Sequence, residues 1–396
     1  MADKTKIEWT DATWNPIRGC SRVSEGCRYC YAETVAARVI AMDRGRGIPA
    51  GQGAYDELLA KGGQWNGRIK VVESVMDQPL RWRKPRLIFV NSMSDLFHEN
   101  VPLEVIDQIF AVMLACAALN NRKHTFQVLT KRPERMREYL LSRTPSEHLK
   151  TWALAGDGLV HMQDENVLFS EHVAGLLGFD WDENGENSSG SEYMAWGYTS
   201  KLFPLPNVWL GVSIEDQAAA RDRIPLLLET PAAVRWLSVE PLLGPVDLQH
   251  IKLHTGDEFN ALYGWHEPGT MRRVRGVDWV VVGGESGPNA RPMHPEWAFE
   301  LRDQCAADGV PFLFKQWGEW RPPLDGEEFS TAMGRTQRVP AFIVAKNGTV
   351  HCFESPTTAD GALPMLRVGK QAAGRLLDGQ LFDGYPTTLD SEQANG

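Results

Sequence analysis

The chain has 396 residues, enough for one large α/β barrel or two ordinary domains, and its 43% hydrophobic and 23% charged residues are a globular balance. No run approaches the roughly 20 apolar residues of a membrane helix, and Met1 to Trp9 has no apolar stretch suited to a signal peptide, which predicts a cytoplasmic chain without a membrane partner. The formal net charge of −10 is local: Thr151 to Ser200 has no Lys or Arg but nine acidic residues, so the acidity neither requires nor opposes an anionic partner.

Short runs rich in Val, Ile, Leu and Phe read as buried strands in chain order. They are Thr13 to Ile17, Leu87 to Val90, Thr125 to Leu129, Val208 to Val212, Val234 to Val239, Trp279 to Val282 and Pro311 to Phe314. Amphipathic stretches between them predict helices over Ala32 to Met42, Leu103 to Leu119, Gln217 to Leu228 and Glu296 to Asp308, with Pro102 and Pro295 at helix starts. Strands alternating with helices predict a mostly parallel sheet, as a full or partial (β/α) barrel with a doubly wound sheet as the alternative. The barrel-like domain is expected over residues 1–140 and 207–380. Residues 141–206 read as an acidic inserted subdomain or lid, with a loop-like tip at Glu183 to Gly190. Residues 250–275 form a second insertion ending in Arg272, Arg273 and Arg275. Arg367 to Leu377 is expected to be a final helix, and residues 387–396 a disordered tail.

Three of the six cysteines lie together: Cys20, Cys27 and Cys30 have the spacing C-x6-C-x2-C, with Tyr29 before the last. In a reducing compartment clustered thiols favour metal over disulfides. Three thiolates can hold three irons of a [4Fe–4S] cluster and leave the fourth open, whereas four would suggest a closed structural site. Cys27 and Cys30 precede a predicted helix whose N-terminal dipole favours thiolates. A zinc site completed by His98 or His294 is the alternative. Cys116, Cys305 and Cys352 read as ordinary buried or semi-buried thiols.

The carboxyl ends of parallel strands collect functional side chains. Here they carry Ser94 and Asp95, then Lys131, Ser213 and Glu215, Glu240, Gly283-Gly284-Glu285, and Lys315. Each alone could be a helix cap or a salt bridge; their recurrence at nearly every strand end makes Asp95, Lys131, Glu215, Glu240, Glu285 and Lys315 candidate site residues. Gly283 and Gly284 mark either a tight turn or a close approach of backbone or ligand. Arg68, Lys70, Arg81, Arg83, Lys84 and Arg86, interleaved with Trp65 and Trp82, and a second stretch of Lys131, Arg132, Arg135 and Arg137, suit phosphate contact and base stacking, or a solvated basic surface.

The cysteine loop, after a first strand and opening a helix, resembles that of radical S-adenosylmethionine enzymes. The resemblance implies a [4Fe–4S] cluster on Cys20, Cys27 and Cys30, S-adenosylmethionine chelated at the open iron, an external electron donor, and reductive release of a 5′-deoxyadenosyl radical. The first gap, six residues here, is longer than the usual one. The superfamily's Gly-Gly-Glu element follows its second strand; here Ser92-Met93-Ser94-Asp95 takes that place, and Gly283-Gly284-Glu285 follows the sixth. Ser213 and Glu215 match the place where the superfamily often contacts the ribose. Ser94, Asp95, Ser213 and Glu215 are thus candidates for holding the cofactor. Lys131, Glu240, Glu285 and Lys315 are candidates for the substrate side.

Lys6 to Pro16, Met93 to His98, Leu129 to Pro133, Ser238 to Pro245, Gly283 to Met293 and Phe314 to Gly318 also resemble a bacteriophage and bacterial three-Cys-motif family of unknown function. Its members are often encoded beside a three-Cys-motif partner protein. That setting implies a nucleoside or nucleic-acid substrate. A non-catalytic zinc- or cluster-binding module recognising nucleic acid or a partner protein is the second reading, and a metal-independent hydrolase using the strand-end carboxylates the third.

Overall fold

Seven apolar runs become the strands of one parallel sheet: β1 (Ala12–Trp14), β2 (Leu87–Val90), β3 (Thr125–Thr130), β4 (Val208–Ser213), β5 (Val234–Val239), β6 (Trp279–Gly283) and β7 (Phe312–Gln316). They are hydrogen-bonded in chain order, β1 to β7, without reversal. A doubly wound sheet reverses its order at a switch point; the order seen is that of a partial (β/α) barrel. Every residue of β4 and β6 is buried, as strands covered on both faces require.

The computed structural model describes residues 5–119, 123–177, 201–253, 256–266, 273–324, 341–352 and 361–387. The Glu183 to Gly190 loop, Arg272 and residues 388–396 of the tail lie outside the described residues. Two units divide the chain: Met1–Val23, Ala32–Val212 and Glu229–Arg235 form the first, and Ser24–Tyr31, Ser213–Leu228 and Trp236–Gly396 the second.

Among the described residues seven longer helices accompany the strands: α1 (Tyr31–Gly45), α2 (Leu103–Ala118), α3 (Pro133–Leu141), α4 (Pro145–Gly156), α5 (Phe169–Leu177), α6 (Gln217–Glu229) and α7 (Pro295–Asp308). In the first unit α2 is apolar around most of its circumference, and α4 packs on it. Trp152 of α4 stacks on Phe110 with ring centroids 4.7 Å apart. Thr144 and Glu147 start α4 with a reciprocal capping box, ahead of Pro145 in the first turn. Phe169, Val173 and Leu177 bury the inner face of α5, which packs on α4. The described start of the acidic segment is therefore a helical layer.

The second insertion contains two hairpins, Ile251–Lys252 with Glu258–Phe259 and Gly264–His266 with Arg273–Arg275. Beyond β7 lies a four-stranded antiparallel sheet, β8 (Trp320–Arg321), β9 (Ala341–Val344), β10 (Val350–Cys352) and β11 (Leu363–Arg367), in the order β8-β11-β9-β10.

Two expectations need correction. The first strand does not run to Ile17: β1 ends at Trp14, and Ile17–Arg18 pairs antiparallel with Lys70–Val71. Pro16 has no N–H to continue the first ladder. The final helix is a single turn, Lys370–Ala373, bounded by Gly369 (φ 87°) and Gly374 (φ 70°), while Arg367 belongs to β11. No helix among the described residues is long and apolar enough to cross a membrane. Cys116 and Cys305 are buried as expected, and burial pushes the Cys305 thiol up to about 12.

The Tyr139 hydroxyl donates to Asp107 Oδ1 at 2.6 Å and accepts from Trp152 Nε1 at 2.8 Å. Tyr139→Phe orphans the indole N–H and removes a donor from Asp107. Denaturant unfolding should show a loss of about 1–3 kcal/mol; an unchanged midpoint would contradict this role.

Candidate functional site

In the first unit, Asp95 follows β2 and its buried carboxylate is filled by four donors. Oδ1 accepts from Thr130 Oγ1 (2.7 Å) and the Phe97 amide (3.0 Å), and Oδ2 from the Lys131 amide and Arg132 Nη1, each at 3.1 Å. Asp95 thereby ties the end of β3 to the turn after β2. Ser94 donates its hydroxyl to the Ile17 carbonyl at 3.0 Å. Lys131 stands at the same junction with a half-buried side chain.

Arg132 continues this network toward the first cysteine. Its Nε donates to Glu99 (2.8 Å) and its Nη2 to Ser21 Oγ (2.7 Å), while Nη1 lies 3.9 Å from Cys20 Sγ. A guanidinium beside a thiol favours the thiolate. The Ser21 hydroxyl donates to Glu99 and receives Arg132 and His98, using its full capacity. His98 is fully buried; its Nδ1 accepts from the Asn100 amide, so the neutral ring carries its proton on Nε2, 3.0 Å from Ser21 Oγ.

In the second unit, the segment carrying Cys27 and Cys30 is gripped at two points. Glu215, just after β4, is 2% exposed. Its Oε1 accepts from Ser24 Oγ at 2.6 Å and its Oε2 from Arg223 Nη1 of α6 at 3.0 Å. A Cβ on Gly26 would lie 2.4 Å from Glu215 Oε1, so glycine lets the loop lie on the carboxylate. Arg223 also donates to the Ser213 carbonyl at 2.5 Å.

The second grip comes from the turn after β6. Arg291 pairs with Glu285 through Nη2 (2.6 Å) and Nε (2.9 Å), donates to the Glu25 carbonyl at 3.0 Å, and lies over the Tyr29 ring. Burial works against the Arg291 charge, and the Glu285 hydrogen bonds and charge outweigh it, raising its pKa above the ordinary value. Cys27 closes the 3-10 turn Glu25–Cys27, its amide donating to Ser24 O at 2.9 Å, and Cys30 directly precedes α1.

Also in the second unit, Lys315 Nζ lies 2.9 Å from Glu240 Oε1, and Ser238 Oγ donates to Glu240 Oε2 at 3.2 Å. Gly283 leaves room for that carboxylate, since a Cβ there would fall 2.5 Å from Glu240 Oε1. A Cβ on Gly284 would fall 2.0 Å from the Trp317 carbonyl. The paired glycines thus serve close approaches by a side chain and by backbone.

Among the described residues, no three His, Cys, Asp or Glu side chains are grouped as a metal site. The donor chemistry of the cysteine loop nevertheless suits a soft metal: all three thiols are half-buried, Cys20 faces Arg132, and α1 opens at Cys30. His294 caps α7 through Nδ1, with its Nε2 2.7 Å from Gly361 O. Both nitrogens of His98 and of His294 are therefore engaged within the fold.

Arg291, Arg223, Ser24 and Gly26 carry much of this arrangement without a sequence signal that marks them as site residues, and Arg132, suited in sequence to phosphate contact or a solvated surface, serves Asp95, Glu99 and Ser21 instead. Arginines with distant partners leave no local pattern; Ser24 and Gly26 at least stand inside the cysteine loop. The second basic stretch is engaged internally: Arg132 as above, Arg135 on the carbonyls of His98 and Val101, and Arg137 on Glu229. In the first stretch Arg81 pairs with Asp77 and Arg86 covers Trp82.

Fold and site define an α/β protein whose polar side chains gather at the carboxyl ends of a sequentially ordered parallel sheet. Its sequence matches, over residues 4–386, the family model described as a protein of unknown function, DUF5131, and the chain belongs to that family. No curated protein and no solved structure matches it.

Burial, with the Arg132 charge second, holds His98 below its ordinary 6.5, and burial does the same for His148 and His294. Their stabilising effect is complete above pH 6.5 and is lost as pH falls from there through the lowered native values. Thermal midpoints should fall below that pH, and His98→Gln should flatten the dependence. An equal slope in the variant would contradict this.

Gly26→Ala forces a methyl onto the Glu215 carboxylate. A destabilisation of about 1–3 kcal/mol is expected, with faster thiol-reagent labelling of Cys27 and Cys30. Adding Glu215→Ala should relieve the clash but keep labelling fast. Wild-type labelling in Gly26→Ala would show that the loop is not seated this way.

Proposed function

We propose that the chain is an iron–sulfur enzyme of the radical S-adenosylmethionine kind acting on a nucleoside or nucleic acid. The supporting observation is the seating of the cysteine segment, with Ser24 and Gly26 on Glu215, Glu25 and Tyr29 on Arg291, and Cys20 beside Arg132. Cys20, Cys27 and Cys30 would hold a [4Fe–4S] cluster with one open iron. When bound, that cluster supplies one-electron reduction of S-adenosylmethionine, drawing on an external electron donor.

The chain's own residues have separable tasks. Arg132 favours the Cys20 thiolate, and the amino end of α1 favours that of Cys30. Glu215 and Arg291 hold the loop. Both Glu215 oxygens are engaged, so its task is positioning, while Ser94, Asp95 and Ser213 fix the backbone on which a cofactor would rest. Lys315 and Glu240 in the second unit, and Lys131 in the first, are the candidates for the substrate side. The sequential strand order, which brings successive strand ends side by side, supports this reading over a hydrolase that leaves the cysteine loop without a task. The engagement of His98 and His294 weighs against zinc completed by either.

Anaerobic reconstitution should load iron and acid-labile sulfide, and reduction with S-adenosylmethionine should give 5′-deoxyadenosine. Serine at Cys20, Cys27 or Cys30 should lower iron retention severalfold and abolish that product. Zinc in place of iron, or no product at full loading, would favour a non-catalytic module that recognises nucleic acid or a partner protein.

A further inference from the structure

The geometry points to a binding site in the second unit for a neutral ligand edge that sets a carbonyl oxygen beside an N–H, the imide or lactam edge of uracil, thymine or guanine. The choice of a nucleoside base rests on the reading above; the edge is argued from the side chains. Alternation along β5 sends Trp236, Ser238 and Glu240 to one face, and Trp236 and Ser238 stand opposite Trp279 and Val281 of β6. The two indoles are fully buried, with centroids 5.3 Å apart, and give this face an apolar base.

Polar groups lie above them at the strand ends. The register of β6 against β7 shifts between Val282 and Gly283, so Lys315 is the extra residue and Gln316 stands opposite Gly283. A Cβ on Gly283 would point at Glu240, which places Gln316 on the face that carries Glu240. Lys315 reaches that carboxylate at 2.9 Å.

Gln316 is 6% exposed. Its Nε2 donates to Ser286 Oγ at 2.8 Å, but its Oε1 is buried and has no hydrogen-bond partner among the described residues. A buried acceptor without a donor is costly, and such a deficit calls for an N–H from a ligand or water.

Charge selects the ligand. Glu240 neutralises Lys315, so the pair does not offer the net positive charge that a phosphate needs. The ammonium still has donors to spare, and lysine typically donates to a base carbonyl. A carbonyl on Lys315 beside an N–H on Gln316 Oε1 satisfies both groups. The side chains of Lys315 and Glu240 are 18% and 13% exposed, which leaves them reachable from solvent.

Equilibrium binding of uridine, thymidine and guanosine to the purified full chain tests this, with cytidine and N3-methyluridine as controls. At least one of the three should bind, and where it is uridine, N3-methylation should weaken binding roughly tenfold or more, the value of one lost hydrogen bond to a buried acceptor. Gln316→Leu and Lys315→Met should erase the preference in protein that circular dichroism shows to be folded, and Gln316→Glu, which keeps an acceptor, should retain it. Binding of none of the three, or equal binding of uridine, N3-methyluridine and cytidine, overturns the proposal. Because binding is read with or without a cluster, that failure is distinct from a failure of the iron–sulfur reading, which metal analysis decides.

Discussion

A carboxylate that is 2% exposed persists only where its charge and lone pairs are matched, and Glu215 is matched on both oxygens. One oxygen receives the Ser24 hydroxyl from the cysteine loop and the other the Arg223 guanidinium from α6. The loop can lie this close because Gly26 has no side chain there. The placement of Cys27 and Cys30 within the second unit thus depends on a charge buried at a strand end. Removing one partner of such a pair leaves the other uncompensated, which is costlier than losing a surface contact.

Asp95 does comparable work in the first unit. Four donors converge on it from the turn after β2 and from the end of β3, and Arg132, one of them, extends to Ser21 and Cys20. Each unit therefore anchors its share of the cysteine motif through a buried carboxylate and an arginine. Glu285 with Arg291 repeats the device at Glu25 and Tyr29. These carboxylates are engaged in holding backbone, whereas Glu240 and Lys315 are paired with each other and remain partly exposed.

Much of this was legible in sequence because strands β2 to β7 and helices α1, α2, α6 and α7 are local patterns. An apolar run such as Trp279 to Val282 needs no partner to be recognised, and Pro102 and Pro295 mark helix starts by their own geometry. The strand-end polar residues could be read for the same reason. The rest depends on distant partners. Nothing near Leu363 to Arg367 announces that it pairs with Ala341–Val344, and Pro364 within it argues against a strand. Arg132 and Arg291 read as surface charges until Asp95 and Glu285 are found beside them. The role of Gly26 is visible only once Glu215, far along the chain, lies beneath it.

The proposed function depends on the three-cysteine loop carrying a cluster with an open iron. Electron paramagnetic resonance of the anaerobically reconstituted, reduced chain tests it most directly. The expected result is the signal of a reduced [4Fe–4S] cluster whose shape changes when S-adenosylmethionine is added. A cluster signal indifferent to S-adenosylmethionine, or none in a protein that instead retains zinc, would contradict it.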